Sequence, residues 1–131
     1  MMQLGYVIRY VPDVSEALAF YEAAFGLARR FLHESGSYGE LETGATTLAF
    51  ASEENAALFG FEIAAQRPES LPGATEIALV TTNVADAYRR ALAAGAVSLM
   101  PPTEKPWGQT VAYVRDGTGF LVELCTPISA E

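Results

Sequence analysis

Apolar and polar positions along this chain follow two periods, and the switch from one to the other happens twice. Residues 4 to 11 alternate β-branched or aromatic side chains with others and stop at Pro12, the period-two pattern of a strand. Asp13 then stands where a helix N-cap is wanted, with Glu16 three positions on to complete a capping box. Val14, Ala17, Leu18, Tyr21, Ala24 and Phe25 recur at helical spacing, and Gly26 follows where a left-handed stop would end the helix. The pattern predicts a strand and then an amphipathic helix.

The same unit is written again further on. Residues 76 to 82 read as a strand, Asn83 as a cap with Asp86 three positions later, and Val84, Ala87, Tyr88, Ala91 and Leu92 as the apolar stripe before Gly95. Tyr6 and Glu76 are 70 residues apart, and the closing glycines Gly26 and Gly95 are 69 apart. Three extended segments follow each helix: residues 28 to 34, 37 to 43 and 45 to 51, then 97 to 100, 108 to 115 and 119 to 125. Thr43-Gly44 and Asp116-Gly117-Thr118-Gly119 supply turn chemistry for the last hairpin of each half. Aligning Gly44 with Gly119 places Tyr38 on Tyr113. Each half reads βαβββ, the first over about residues 3–51 and the second over about 75–126. Residues 52 to 74 connect them, with one helical turn near Glu53 to Leu58, and serve either as a lid or pocket wall or as a plain tether.

At 131 residues, half of them apolar, the whole chain 1–131 is expected to form a single domain. Its apolar runs are far shorter than the roughly 18 to 20 residues of a membrane span. The first residues show no basic region followed by an apolar segment, so a cytoplasmic location is the expectation. Sixteen acidic residues against eight basic ones give a formal charge of −8, a field that repels phosphate backbones and gathers cations. Nucleic acid is therefore excluded as an expected partner, as is a membrane. With Cys125 as the sole cysteine no intramolecular disulfide can form, and no activating partner for it is visible in the sequence, so it reads as an inert buried thiol.

Two tandem βαβββ units resemble the vicinal oxygen chelate superfamily, which embraces glyoxalases, bleomycin resistance proteins and extradiol dioxygenases. The run Val11-Pro12-Asp13-Val14 before a helix ending Phe20-Tyr21 through Phe25-Gly26-Leu27, and the closing run Arg115-Asp116-Gly117-Thr118-Gly119-Phe120-Leu121-Val122-Glu123-Leu124, carry the likeness. The resemblance implies an α+β fold in which the two modules form a curved, incomplete barrel-like cup with the helices on the convex side. It does not choose among the lyases, dioxygenases, thiol transferases and antibiotic-sequestering proteins of the family.

Strand alternation is expected to turn Tyr6, Ile8 and Tyr10 into the cup together with Thr46, Leu48 and Phe50, and in the second half Glu76, Ala78 and Val80 together with Leu121, Glu123 and Cys125. The resemblance implies metal ligands at four places, which here hold Tyr6, Leu48, Glu76 and Glu123. Leu48 cannot coordinate at all. No cofactor is firmly expected, with Glu76 and Glu123 as weak candidates for a hard divalent ion. The lone His33 lies outside that set. Pro106-Trp107-Gly108 precedes the penultimate strand as it does in bleomycin-binding members, which implies an indole at the mouth of the cup, suited to stacking. The expected function is a homodimeric protein that binds a small molecule, an aromatic or cationic antibiotic-like compound, through Trp107, Tyr6, Leu48, Phe50, Glu76 and Glu123. The alternative is a glyoxalase-like metal-dependent lyase or isomerase with an atypical site.

Overall fold

The structure, a computed structural model, describes residues 1 to 128. The chain divides into two compact units, Met1–Ala65 and the residues from Gln66 on. The first runs β1 (Tyr6–Val11), α1 (Val14–Phe25), β2 (Ala28–Leu32), β3 (Tyr38–Glu42), β4 (Thr47–Ser52) and α2 (Glu53–Leu58). The second runs β5 (Glu76–Val80), α3 (Val84–Ala93), β6 (Val97–Glu104), β7 (Thr110–Arg115) and β8 (Leu121–Cys125). Each contains one open four-stranded sheet, ordered β1-β4-β3-β2 and β5-β8-β7-β6. In both, the first and last strands of the unit pair in parallel and the other pairings are antiparallel. The architecture is α+β, as the repeat predicts. Among the described residues no helix is long and apolar enough to cross a membrane.

Local chemistry sets the helix boundaries. The Glu16 amide donates to Asp13 Oδ1 at 3.0 Å, and Gly26 closes α1 at φ 68° with its amide on the Glu22 carbonyl. Asn83 repeats the cap, accepting from the Asp86 amide at 3.0 Å and donating from Nδ2 to Asp86 Oδ2 at 2.7 Å. Inside the first unit Val14, Leu18 and Tyr21 of α1 pack on the sheet with almost no exposure. The Tyr21 ring lies 5.0 Å from that of Phe50, edge-on. Burying a ring of this size contributes about 1.5–3 kcal/mol.

Three expectations from the sequence need correcting. The first concerns the face of β4. Tyr6 pairs with Thr47, Ile8 with Ala49 and Tyr10 with Ala51, so Thr47, Ala49 and Ala51 share the face of Tyr6. Leu48 and Phe50 lie on the opposite face, the one covered by α1, at 6% and 0% exposure. Thr46 precedes the strand, its hydroxyl donating to the Leu4 carbonyl at 2.9 Å. The alternation misleads because β4 is buried on both sides from Thr47 to Ala51, so no polar residue marks an outer face.

The second concerns the repeat. Tyr113 pairs with Glu123, whereas Tyr38 pairs with Ala51 and Glu40 with Ala49. Tyr38 and Tyr113 are therefore not equivalent; Glu40 occupies in the first sheet the place of Tyr113 in the second. The third concerns β6, which continues through Pro101-Pro102 to Glu104 instead of stopping at residue 100. It is an edge strand with register shifts on both sides of Met100, and an edge tolerates residues that lack an amide donor.

Candidate functional site

The site assembles on the face of the second sheet turned away from α3. That face is defined by its opposite: Tyr88 of α3 donates to Ser98 Oγ at 2.6 Å, and Ser98 pairs with Val114. The alternate residues Glu76, Ala78 and Val80 of β5, Leu121, Glu123 and Cys125 of β8, and Val111, Tyr113 and Arg115 of β7 therefore lie together on the open side. Here the alternation of β5 and β8 reads as expected from the sequence.

Glu76 and Glu123 are within hydrogen-bonding reach of one another. Glu123 also accepts from the Tyr113 hydroxyl at 3.0 Å and is hydrogen-bonded to the Cys125 thiol. The hydrogen bond from Glu76 to Glu123, with partial burial and the repulsion of the second carboxylate, pushes the Glu76 carboxyl up to about 7. Burial also works to raise Glu123, but the hydrogen bonds from Glu76, Tyr113 and Cys125, with the charge of Lys105, outweigh it and hold Glu123 below the ordinary carboxylate range. The pair is thus polarised, the exposed Glu76 being the weaker acid and the inner Glu123 the stronger. Burial and the neighbouring Glu123 push the Tyr113 phenol up to about 12 and raise the Cys125 thiol, so both stay protonated and donate. Cys125 is buried, as expected.

The other chemistry lies nearer the strand ends. Trp107 stands in the turn between β6 and β7, 62% exposed. Its Nε1 donates to Gln109 Oε1 at 2.8 Å, and buried Gln109 donates in turn to the Thr126 carbonyl at 2.8 Å. The indole face is left to solvent while its one polar atom is satisfied. Lys105, from the same turn, brings its ammonium to 4.0 Å from the sulfur of Met100, which pairs with Tyr113. At the other end of the face Arg115 faces Leu121, which faces Glu76.

In the first unit the same side of the sheet is filled differently. Arg30 makes a two-pronged contact with Glu42, Nη2 to Oε1 at 2.7 Å and Nε to Oε2 at 3.0 Å, and donates from Nη1 to Glu40 Oε1 at 3.2 Å and Thr47 Oγ1 at 3.3 Å. The Tyr38 hydroxyl donates to Glu40 Oε2 at 2.7 Å. Hydrogen bonding to Arg30 lowers the Glu42 carboxyl; the guanidinium is correspondingly raised, and burial with Glu40 raises the Tyr38 phenol. Tyr6 lies on this side at the exposed edge, and Tyr10 meets Phe61 edge-on at 6.4 Å.

Of the residues singled out in the sequence, Glu76 and Glu123 are brought together, Tyr6 and Trp107 are exposed, and Leu48 and Phe50 belong to the packing under α1. His33 lies in the turn after β2, its Nδ1 accepting from the Ser35 amide at 3.1 Å. Tyr113, Lys105, Arg115 and the Arg30 cluster were missed. Tyr113 could have been found by counting outward from the turn at 116–120, which pairs Arg115 with Leu121 and hence Tyr113 with Glu123.

The donors do not fit the divalent ion that the resemblance implies. Among the described residues no group of three or more His, Cys, Asp or Glu gathers that could hold a metal. By register the first-unit counterpart of Glu123 is Ala49, which has no donor, and the nearby Glu40 is already shared between Arg30 and Tyr38.

Residues 3–124 match the family described as Glyoxalase/Bleomycin resistance protein/Dioxygenase superfamily. Among solved structures, a glyoxalase-related enzyme from Fulvimarina pelagi is 25% identical with a TM-score of 0.82, over 99% of this chain and 94% of that one. A glyoxalase/bleomycin resistance protein/dioxygenase from Nocardioides is 18% identical with a TM-score of 0.74, over 100% and 87%. A family enzyme from Burkholderia phytofirmans is 22% identical with a TM-score of 0.70, over 95% and 98%. None of the curated proteins matches.

Proposed function

We propose that this chain, which belongs to the Glyoxalase/Bleomycin resistance protein/Dioxygenase superfamily by its match over residues 3–124, is a small-molecule binding protein that takes an aromatic organic cation. The observation that carries the reading is the pair Glu76–Glu123, two carboxyls on one face of neighbouring strands, within reach of each other, that make no ion pair among the described residues. One proton between them limits their mutual repulsion; an ammonium would let both ionise and would then face two carboxylates. Trp107 adds an exposed stacking face, worth on the order of 1–3 kcal/mol as an aromatic anchor. The net charge of −8 favours cations over anions at long range.

Calorimetry with benzylamine and its neutral analogue benzyl alcohol tests this. The amine should bind about tenfold or more tightly, tighten as pH rises from 6 to 8, and release protons in amounts visible from the buffer dependence of the heat. Equal affinity for both compounds would sink the proposal. We also take the site to work without a resident divalent ion, and protein purified without added metal should carry much less than one equivalent of Ni, Zn, Mn or Fe. We propose a homodimer, supported by Tyr6, Ile8 and Val80 standing exposed on the edge strands β1 and β5; light scattering at micromolar concentration should give twice the chain mass.

A second reading rests on Glu76 alone. A carboxyl that titrates near 7 suits general acid–base work on a carbon acid, as in a lyase or isomerase. Deuterium exchange next to the carbonyl of a small ketone, lost in Glu76→Gln, would favour it.

A further inference from the structure

The carboxyl pair has a built boundary on one side. Glu76, Leu121 and Arg115 form one row across β5, β8 and β7. With strands about 4.8 Å apart, Arg115 and Glu76 stand roughly 10 Å from each other along that row. The Arg115 guanidinium is engaged by main-chain carbonyls: Gly119 at 2.9 Å from Nε, Pro68 at 3.2 Å from Nη1, and Ser70 at 2.6 Å and Arg67 at 3.3 Å from Nη2. The turn at 67–70 is held from its other side by Gln66, 8% exposed, whose Nε2 donates to the carbonyls of Arg67 and Leu71 at 3.1 Å each. Gln66 Oε1 accepts from the Gly73 amide at 2.8 Å, so the chain is fixed almost to the point where it enters β5 at Glu76.

Gly119 completes the clamp. A Cβ there would lie 2.6 Å from Arg115 Nη2 and 2.7 Å from the Arg67 carbonyl oxygen, and the residue is at φ 95°. Both the space and the backbone conformation demand glycine. A stretch of chain without regular structure is thus ordered by a charged side chain that belongs to the same face of the sheet as the carboxyl pair.

We propose that Arg115 is a positioning residue for the Glu76–Glu123 site: by clamping the turn at 67–70 it holds a fixed wall beyond Glu76, and that wall limits the length of the cationic ligand. This deepens the binding function proposed above and rests on it. In the intact protein the wall shields one side of the otherwise exposed Glu76 and admits short amines in preference to long ones.

The test uses Arg115→Ala and Arg115→Lys, with Arg89→Ala on the exposed side of α3 as a control. The probes are phenylalkylamines, from benzylamine to 6-phenylhexylamine, followed by calorimetry. In Arg115→Ala the ratio of long-chain to short-chain affinity should rise by about tenfold, Arg115→Lys should fall between that and the wild type, and Arg89→Ala should match the wild type. Separately, carboxyl carbon NMR should show the Glu76 titration, raised first by its hydrogen bond to Glu123 and then by partial burial, shifting downward in Arg115→Ala by the part that burial contributes. An unchanged affinity ratio and an unchanged Glu76 titration, with only a lowered melting temperature, would reduce Arg115 to a structural brace and overturn the proposal. If the wild type binds no amine at all, the binding function itself is wrong, and the Glu76 titration still decides whether the wall exists.

Discussion

The two sheets share one topology yet treat their carboxylates in opposite ways. On the first, Glu40 and Glu42 meet Arg30, and Tyr38 takes a remaining oxygen of Glu40, so the cluster is closed upon itself. On the second, Glu76 and Glu123 meet each other, with phenol and thiol donors and the charge of Lys105 at a distance, but no guanidinium bound to them. Carboxylates already bound to a guanidinium serve stability, because they gain little from a newcomer. A carboxyl pair with no cation bound to it is costly when empty and gains from any cation that arrives. Under the proposed function, the first face serves structure and the second binding.

Removing the cation from the closed cluster should give the largest effect. Arg30→Met leaves Glu40, whose side chain is 9% exposed, without its charge partner. Because Arg30 itself is solvated, the expected loss stays below that of a fully buried pair. Urea unfolding should show it as a lower midpoint, partly restored in Arg30→Met/Glu40→Gln. A midpoint within experimental error of the wild type would erase the distinction between the faces.

Next comes Glu123→Gln, which removes the anion of the open pair while nearly preserving shape. Affinity for benzylamine should fall by about 2 kcal/mol, roughly thirtyfold, with benzyl alcohol unaffected and Glu76 titrating closer to an ordinary carboxyl. Trp107→Ala should cost about 1–2 kcal/mol for amine and alcohol alike, since it removes a stacking face and not a charge. Quenching of Trp107 emission on titration provides an independent check, as it is the only tryptophan.

The smallest expected effect is on stability against pH, and its sign differs between the sheets. Glu42 is held below its ordinary value of 4.5 by Arg30, so its contribution is present above that value and is lost as pH falls through the folded pKa. Glu76 is raised to about 7; its contribution is full below the unfolded value and is lost as pH rises from about 4.5 to 7. Glu123, held low, behaves like Glu42 at the acid end. Unfolding midpoints of Glu42→Gln and Glu76→Gln should therefore diverge from the wild type in opposite directions, the first as pH falls below about 4.5 and the second as pH rises from about 4.5 to 7.

Much of the scaffold could be read in the chain because its boundaries are chemical. Asp13, Asn83 and Gly26 each carry a local requirement that a sequence states openly. What failed was long-range information. Leu48 and Phe50 sit in a run, Thr47-Leu48-Ala49-Phe50-Ala51, buried on both faces, where alternation has no polar residue to point outward. Arg30 falls within a register shift between Arg29 and Phe31, so counting along β2 could not match it with Glu40 and Glu42. Glu76 and Glu123 were visible because their strands alternate cleanly, and Tyr113 lay one step away.

The consecutive prolines of β6 bear on how copies of this protein can meet. A sheet recruits a further strand from another molecule only along a margin that offers amide donors in sequence, and Pro101-Pro102 interrupts that series on one margin of the second sheet. Growth of the second sheet by strand addition is thereby discouraged on one side and left to the β5 side. Pairing through β5 would end, for this sheet, with two molecules each presenting its blunted margin outward, so that open-ended extension of the second sheet is disfavoured by covalent structure rather than by charge.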